Sequence, residues 1–166
     1  MVDEPLVDET ALRDYPGAPF LPDVVAGAAG AVRAEAGWHI APTVTETVEV
    51  ETGGGAVALL PSLHVVSVDE VRDLDGRVLD GWRVSKSSGV LRRTVGRWPE
   101  AIEVDLTHGY AKCPPELLPV VAERAQRGKA GIVRQENIGA RSLSLAQNDD
   151  PVSGEVLARY TLPPRP

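Results

Sequence analysis

The residues able to carry chemistry are few. The chain has three histidines, His39, His64 and His108, and one cysteine, Cys113. No histidine stands at i, i+4 from another ligand, and Cys113 has only His108 nearby, so no spacing suggests a metal site. Cys113 lies at a predicted helix start, where the helix dipole lowers a thiol pKa. Its neighbours Pro114 and Pro115 carry no N–H to hold a thiolate, so it reads as a small corner residue. No serine stands in a G-x-S-x-G elbow. Glu103 and Asp105 fall on one face of a predicted strand, as a carboxylate pair would, but solvent-facing charge is the commoner use of such positions. Tyr110, after His108-Gly109, reads as a corner residue with a bonded hydroxyl. Gly53-Gly54-Gly55 lacks the following helix and the Lys-Ser/Thr of a phosphate loop. A strand-like run, Ala56 to Leu60, follows it, so a hairpin turn is expected. These residues predict no catalytic group, no metal, no cofactor and no enzyme.

The composition bounds the rest. At 166 residues the chain is long enough for one domain with a sizeable core. Aromatic residues make up 4%, so that core must be built from Val, Leu and Ala. A single cysteine excludes an internal disulfide framework. No apolar run reaches 18 residues and no basic-then-apolar start is seen, so neither a membrane span nor a signal peptide is expected, and the chain is expected to stay in the cytoplasm where it is made. The net charge of −7 argues against strong non-specific binding to nucleic acid. The charge is uneven. Asp3, Glu4, Asp8, Glu9 and Asp14 stand against Arg13 in the first twenty residues. Seven cations stand against three aspartates between Arg72 and Arg97. An acidic arm and a basic β segment could meet across a subunit boundary, or both could be solvated faces.

The elements that would position these residues follow from the apolar period. Residues 1–19 are acidic, proline-containing and aperiodic, and predict an extended arm. Leu21, Val24, Val25, Ala28 and Val32 give a helix over 21–36, ended by Gly37 at C′ with Trp38 as its hydrophobic partner. The small face Ala26, Gly27, Gly30, Ala34 could pack on another helix, in this chain or a second copy. From Thr43 to Thr107 the signals are β: TVTETVEVE alternates, Asp75-Gly76 marks a hairpin, and Trp82–Ser85 pairs with Val90–Thr94. Ile102, Val104 and Leu106 point one way along the last strand. At Cys113-Pro114-Pro115 the period changes from two to about 3.6, with Leu117, Leu118, Val121, Ala122 and Ala125 on one side. This helix is expected to end near Gly128, and Pro119 makes its first turn irregular or delays its start. Ile132–Val133 and Ser142–Leu145 predict short strands, Gln147–Asp150 a turn, and Ser153 the N-cap of a last helix with Val156, Leu157 and Tyr160 on one face. The fold class is α+β: a small helical body (helices near 21–36, 115–127 and 153–160) with an inserted antiparallel β-meander or sandwich over about 43–107. Residues 20–160 form the one domain, and the Pro-rich end, 161–166, is an extended tail.

Three features taken together resemble the head-to-tail connector (adaptor, or head-completion) proteins of long-tailed bacteriophages. The first is Leu59-Leu60-Pro61, then His64 to Val68, Asp75-Gly76 and Trp98-Pro99. The second is VDLTHGYAKCPP, Val104 to Pro115, followed at once by a helix. The third is Leu157-Ala158-Arg159-Tyr160 with its Pro-rich end. The order helix, β insertion, corner, helix, tail covers most of residues 20–166. The resemblance implies a structural virion protein at the head-to-tail interface, forming a ring of twelve copies between the portal and the neck or tail-completion proteins. The helices would build the ring and the tail would dock on the portal through Tyr160, Leu162, Pro163 and Arg165. DNA would pass through the lumen without sequence-specific binding, and no membrane would be involved. The alternatives are another virion part, a tail-completion or decoration protein, or a small enzyme whose site assembles only in the fold.

Overall fold

The computed structural model describes residues 5–135 and 151–163. The strand expected at Ser142–Leu145, the turn at Gln147–Asp150 and the tail residue Arg165 lie outside them. The chain is α+β. It divides into two compact units, a helical one drawn from residues up to Ala36 and from Cys113 to Thr161, and a β unit drawn from Gly37 to Lys112 and from Leu162 on.

In the helical unit, α1 spans Pro22–Ala36. Proline opens it, where a missing N–H costs nothing, and Asp23 faces its positive end. Val24, Val25, Ala28, Ala29, Val32 and Ala36 are buried, while Leu21, just before the helix, is 64% exposed. Gly37 ends α1 at φ +78, the left-handed C′ geometry that favours glycine. A 3-10 turn, Pro115–Leu117, precedes α2, Leu118–Gln135. Pro119 is therefore the second residue of α2, where an N–H would have no acceptor within the helix.

Four expectations are corrected here. The helix was expected to stop near Gly128, and Ile132–Val133 to form a strand; α2 instead runs through both. A Cβ at Gly128 would meet Val24 Cγ1 at 3.6 Å, an ordinary van der Waals contact. The packing of α2 on α1 carries the helix through this position and outweighs the roughly 1 kcal/mol a mid-helix glycine costs. Ser153 was expected as an N-cap, but α3 spans Pro151–Ala158 and holds it inside. Its hydroxyl donates instead to Glu123 Oε2 at 2.6 Å. The acidic segment is more than an extended arm: Glu9–Leu12 is a 3-10 turn capped by Asp8, and Leu6, Val7, Leu12 and Phe20 are buried.

The β unit holds six strands, β1 Val44–Glu51, β2 Val57–Leu59, β3 Val65–Asp73, β4 Trp82–Ser85, β5 Val90–Arg93 and β6 Ala101–His108. They form two antiparallel three-stranded sheets, ordered β1-β6-β3 and β2-β5-β4. Only β4 and β5 pair as chain neighbours, so the sandwich holds and the meander does not. The Gly53-Gly54-Gly55 turn is not a hairpin: β1 pairs along its whole length with β6, and β2 pairs with β5 in the other sheet. The alternation of β6 explains the choice. Ile102, Val104 and Leu106 are 0% exposed, and a central position covers them from both sides. The Asp75-Gly76 turn forms as expected, with Asp73 Oδ1 accepting the N–H groups of Asp75 and Arg77. The inner faces of both sheets share one core, in which Val50, Val71, Ile102, Val104 and Leu106 meet Ala58 and Leu91, with Leu60 and Trp98.

Gly89 shows how tightly this core is closed. It lies at φ +61, and a Cβ there would stand 1.9 Å from the carbonyl oxygen of Ser62; at Gly53, φ +57, a Cβ would meet nothing within 4 Å. Gly89→Ala is expected to destabilise the fold by more than about 3 kcal/mol, and Gly53→Ala by about 1 kcal/mol from backbone strain alone. Urea unfolding of the two variants beside the parent chain measures the difference.

Candidate functional site

The fold brings together residues that the sequence keeps far apart. His108, at the end of β6, is buried, and its Nε2 lies 3.0 Å from Glu46 Oε1 on β1. The His39 ring meets it edge-on at 6.2 Å, and His39 Nε2 lies 2.7 Å from the carbonyl oxygen of Pro42. His64 stacks on Tyr110 at 4.0 Å, and Trp38 lies 6.3 Å from the same ring. All three histidines thus gather at one end of the β unit. Backbone bonds fasten this end: Gly109 donates to His64 and Tyr110 to Ile40. A Cβ on Gly109 would stand 2.8 Å from the carbonyl oxygen of Pro42.

This assembly does not make a catalytic relay. A triad needs a histidine with an acid on one ring nitrogen and a hydroxyl or thiol on the other. Glu46 takes Nε2 of His108, and Nδ1 is buried without a hydrogen-bond partner among the described residues. Nor do three or more His, Cys, Asp or Glu side chains converge to hold a metal ion, among the described residues. Glu103 and Asp105 do share a face, but Asp105 accepts from Thr47 at 2.5 Å and from Arg72 at 3.0 Å, and Glu103 lies 3.7 Å from Arg72. They serve the sheet surface.

The outer faces of the two sheets are the distinctive surfaces. On the first sheet, cross-strand register puts Glu49 opposite Glu103 and Glu70 opposite Asp105, with Glu51 beyond. Arg72 reaches Glu70, Glu103 and Asp105. Three of these five carboxylates are shared by one arginine, and Glu49 and Glu51 stand outside that cluster. On the second sheet Arg83 stands directly opposite Arg92, with Val57 beside Arg92 and 37% exposed. Sequence reasoning saw a basic segment but not this pairing, because register decides which charges face each other.

In the helical unit, the face of α1 bearing Ala26, Gly27, Gly30 and Ala34 is exposed, and a Cβ on either glycine would meet nothing within 4 Å. Beside it a groove of about 380 Å³ runs between α1 and α2, floored by Val24, Ala28 and Gly128 and edged by Arg124 and Arg127. Of the expected docking residues, Tyr160 is half-buried and its hydroxyl donates to Glu116 at 3.3 Å. Leu162 lies 3.8 Å from where a Cβ on Gly37 would stand. Pro163 is exposed.

No protein-family model and no curated protein matches the sequence. Solved structures do match the fold. A chain from the neck of an empty GTA particle, computed with C6 symmetry, is similar at a TM-score of 0.62 and 15% identity, over 97% of this chain and 92% of that one. A chain from the neck of a native GTA particle, computed with C12 symmetry, is similar at 0.56 and 16% identity, over 87% and 82%.

Cys113 gives a direct check on chemistry. Burial pushes its thiol up to about 11, although the Arg33 charge pulls the other way. A nucleophilic cysteine needs the opposite shift. At pH 8 its alkylation by iodoacetamide is expected to run about 100-fold slower than that of an unperturbed thiol, from the thiolate fraction alone. The raised value also favours the folded chain below about pH 9, and that contribution is lost as pH rises toward 11. Mass spectrometry of the labelled folded and urea-unfolded chains measures the rate ratio.

Proposed function

We propose that this protein is a structural component of the neck of a phage-like particle, a head-to-tail adaptor whose copies form a ring between the portal and the neck or tail-completion proteins. The observation that carries the proposal is the extent of the fold match. A 15% identical neck chain matches this fold over 97% of this chain and 92% of its own. The compared necks were computed with C6 and C12 symmetry, and rotational symmetry of that kind joins copies through two different patches, head to tail. The helical unit supplies a suitable surface in the exposed small-residue face of α1. Among the described residues, His108 Nδ1 meets no nucleophile, and burial raises the Cys113 thiol.

In this role the ring holds twelve copies, acts in the virion, and passes DNA through its lumen without sequence-specific contacts. The net charge of −7 suits a ring that must not hold phosphate. The tail beyond Leu162 docks on the portal. Tyr160 and Leu162 already have contacts inside the chain, so the docking portion starts at Pro163.

Negative-stain microscopy and native mass spectrometry of the purified chain, alone and with portal protein, test the proposal. Twelve-fold rings are expected, alone or on the portal. A compact monomer under both conditions overturns it. A chain ending at Leu162 is expected to keep its fold and lose portal binding at least tenfold; unchanged binding sinks the docking role of the tail.

A further inference from the structure

The β unit is electrically two-faced. Its two sheets turn their inner faces to one core, so their outer faces look away from each other. One outer face carries Glu49, Glu51, Glu70, Glu103 and Asp105, the last three paired with Arg72. The other carries the Arg83–Arg92 pair. Like charges directly opposite across a strand pair weaken a sheet, and here the pairs Glu49–Glu103 and Arg83–Arg92 do so with opposite signs on opposite faces. Neither arginine makes an ion pair among the described residues, and neither Glu49 nor Glu51 has a polar partner there. Arg83, Arg92, Glu49 and Glu51 therefore add no pairing that holds the fold.

We propose that the acidic face of the first sheet in one copy docks on the basic face of the second sheet in the next, so that neighbouring β units form part of the contact between copies. The electrostatics choose the pairing. Two acidic faces repel, as do two basic ones, so a two-fold contact through either face is opposed. The mixed contact is favoured and is heterologous, the kind that closes into a ring. Val57, beside Arg92, adds exposed apolar surface to the basic side. The partner is a second copy of this chain, and the proposal rests on the ring-forming role above.

The test uses full-length chains carrying reversed faces: Arg83→Glu with Arg92→Glu, Glu49→Arg with Glu103→Arg, and all four together. Circular dichroism and urea unfolding first establish that each is folded. Rings are counted by native mass spectrometry, alone or on the portal. Each two-site variant is expected to lose at least tenfold in assembly, and the four-site variant, like a mixture of the two-site variants, to recover it. Assembly of the parent chain is expected to weaken between 50 and 500 mM salt, since exposed charge is screened over about 10 Å at 0.1 M. Parent rings indifferent to either reversal, or a folded four-site variant as defective as its parents, overturn this contact while leaving the ring-forming role intact. Loss of portal binding by the arginine variant with its rings unchanged also overturns it, and assigns the basic face to the portal. A parent chain that never forms rings overturns the role itself and this contact with it.

Discussion

The β unit depends on burying one face of β6. Eight residues alternate so strictly that Ile102, Val104, Leu106 and His108 are buried and their neighbours are half-exposed. A buried aliphatic side chain contributes about 1.5–3 kcal/mol, and three of these are 0% exposed. Such a strand at a sheet edge would leave its backbone unpaired on one side. At the centre it is paired on both, by β1 along its full length and by β3 through two register shifts. The rest follows. The strands that flank β6 cannot pair with their chain neighbours, so the triple-glycine turn carries the chain into the second sheet, and β5 becomes the centre there.

The same constraint sets the surfaces. Once β6 presents its apolar side to the core, Glu103 and Asp105 must face outward, and register brings Glu49 and Glu70 beside them. In the second sheet Leu91 points inward at 0% exposure, which sends Arg92 out to meet Arg83. The charge on each face is thus fixed by the burial of its neighbour. The helical unit shows a parallel logic. Burying Val24, Val25, Ala28, Ala29 and Val32 leaves Ala26, Gly27, Gly30 and Ala34 exposed, and a Cβ on either glycine would meet nothing within 4 Å.

The groups that the sequence offers for chemistry are already engaged among the described residues. His108 is tied to Glu46, His39 to the Pro42 carbonyl, and His64 to the Tyr110 ring. Cys113 sits where burial keeps it protonated. These residues pack at the end of the β unit around Gly109, whose missing side chain lets the Pro42 carbonyl come close.

What the sequence determined by itself was local. The change of period at Cys113-Pro114-Pro115, the alternation of TVTETVEVE, the glycine that ends α1 and the irregular turn that delays α2 to Leu118 are all written in neighbouring residues, because caps, pleats and missing N–H groups act over a few positions. The tertiary structure alone decided which strands pair, that Gly128 continues a helix, that acidic residues 5–20 include buried Leu6, Leu12 and Phe20, and that the three histidines meet. Each of these depends on contacts between residues distant in the chain, where burial of a shared core outweighs a local preference of about 1 kcal/mol. The two charged faces lie between these cases. Their residues are legible as an acidic strand and a basic segment, but only register and a common core turn them into opposed surfaces.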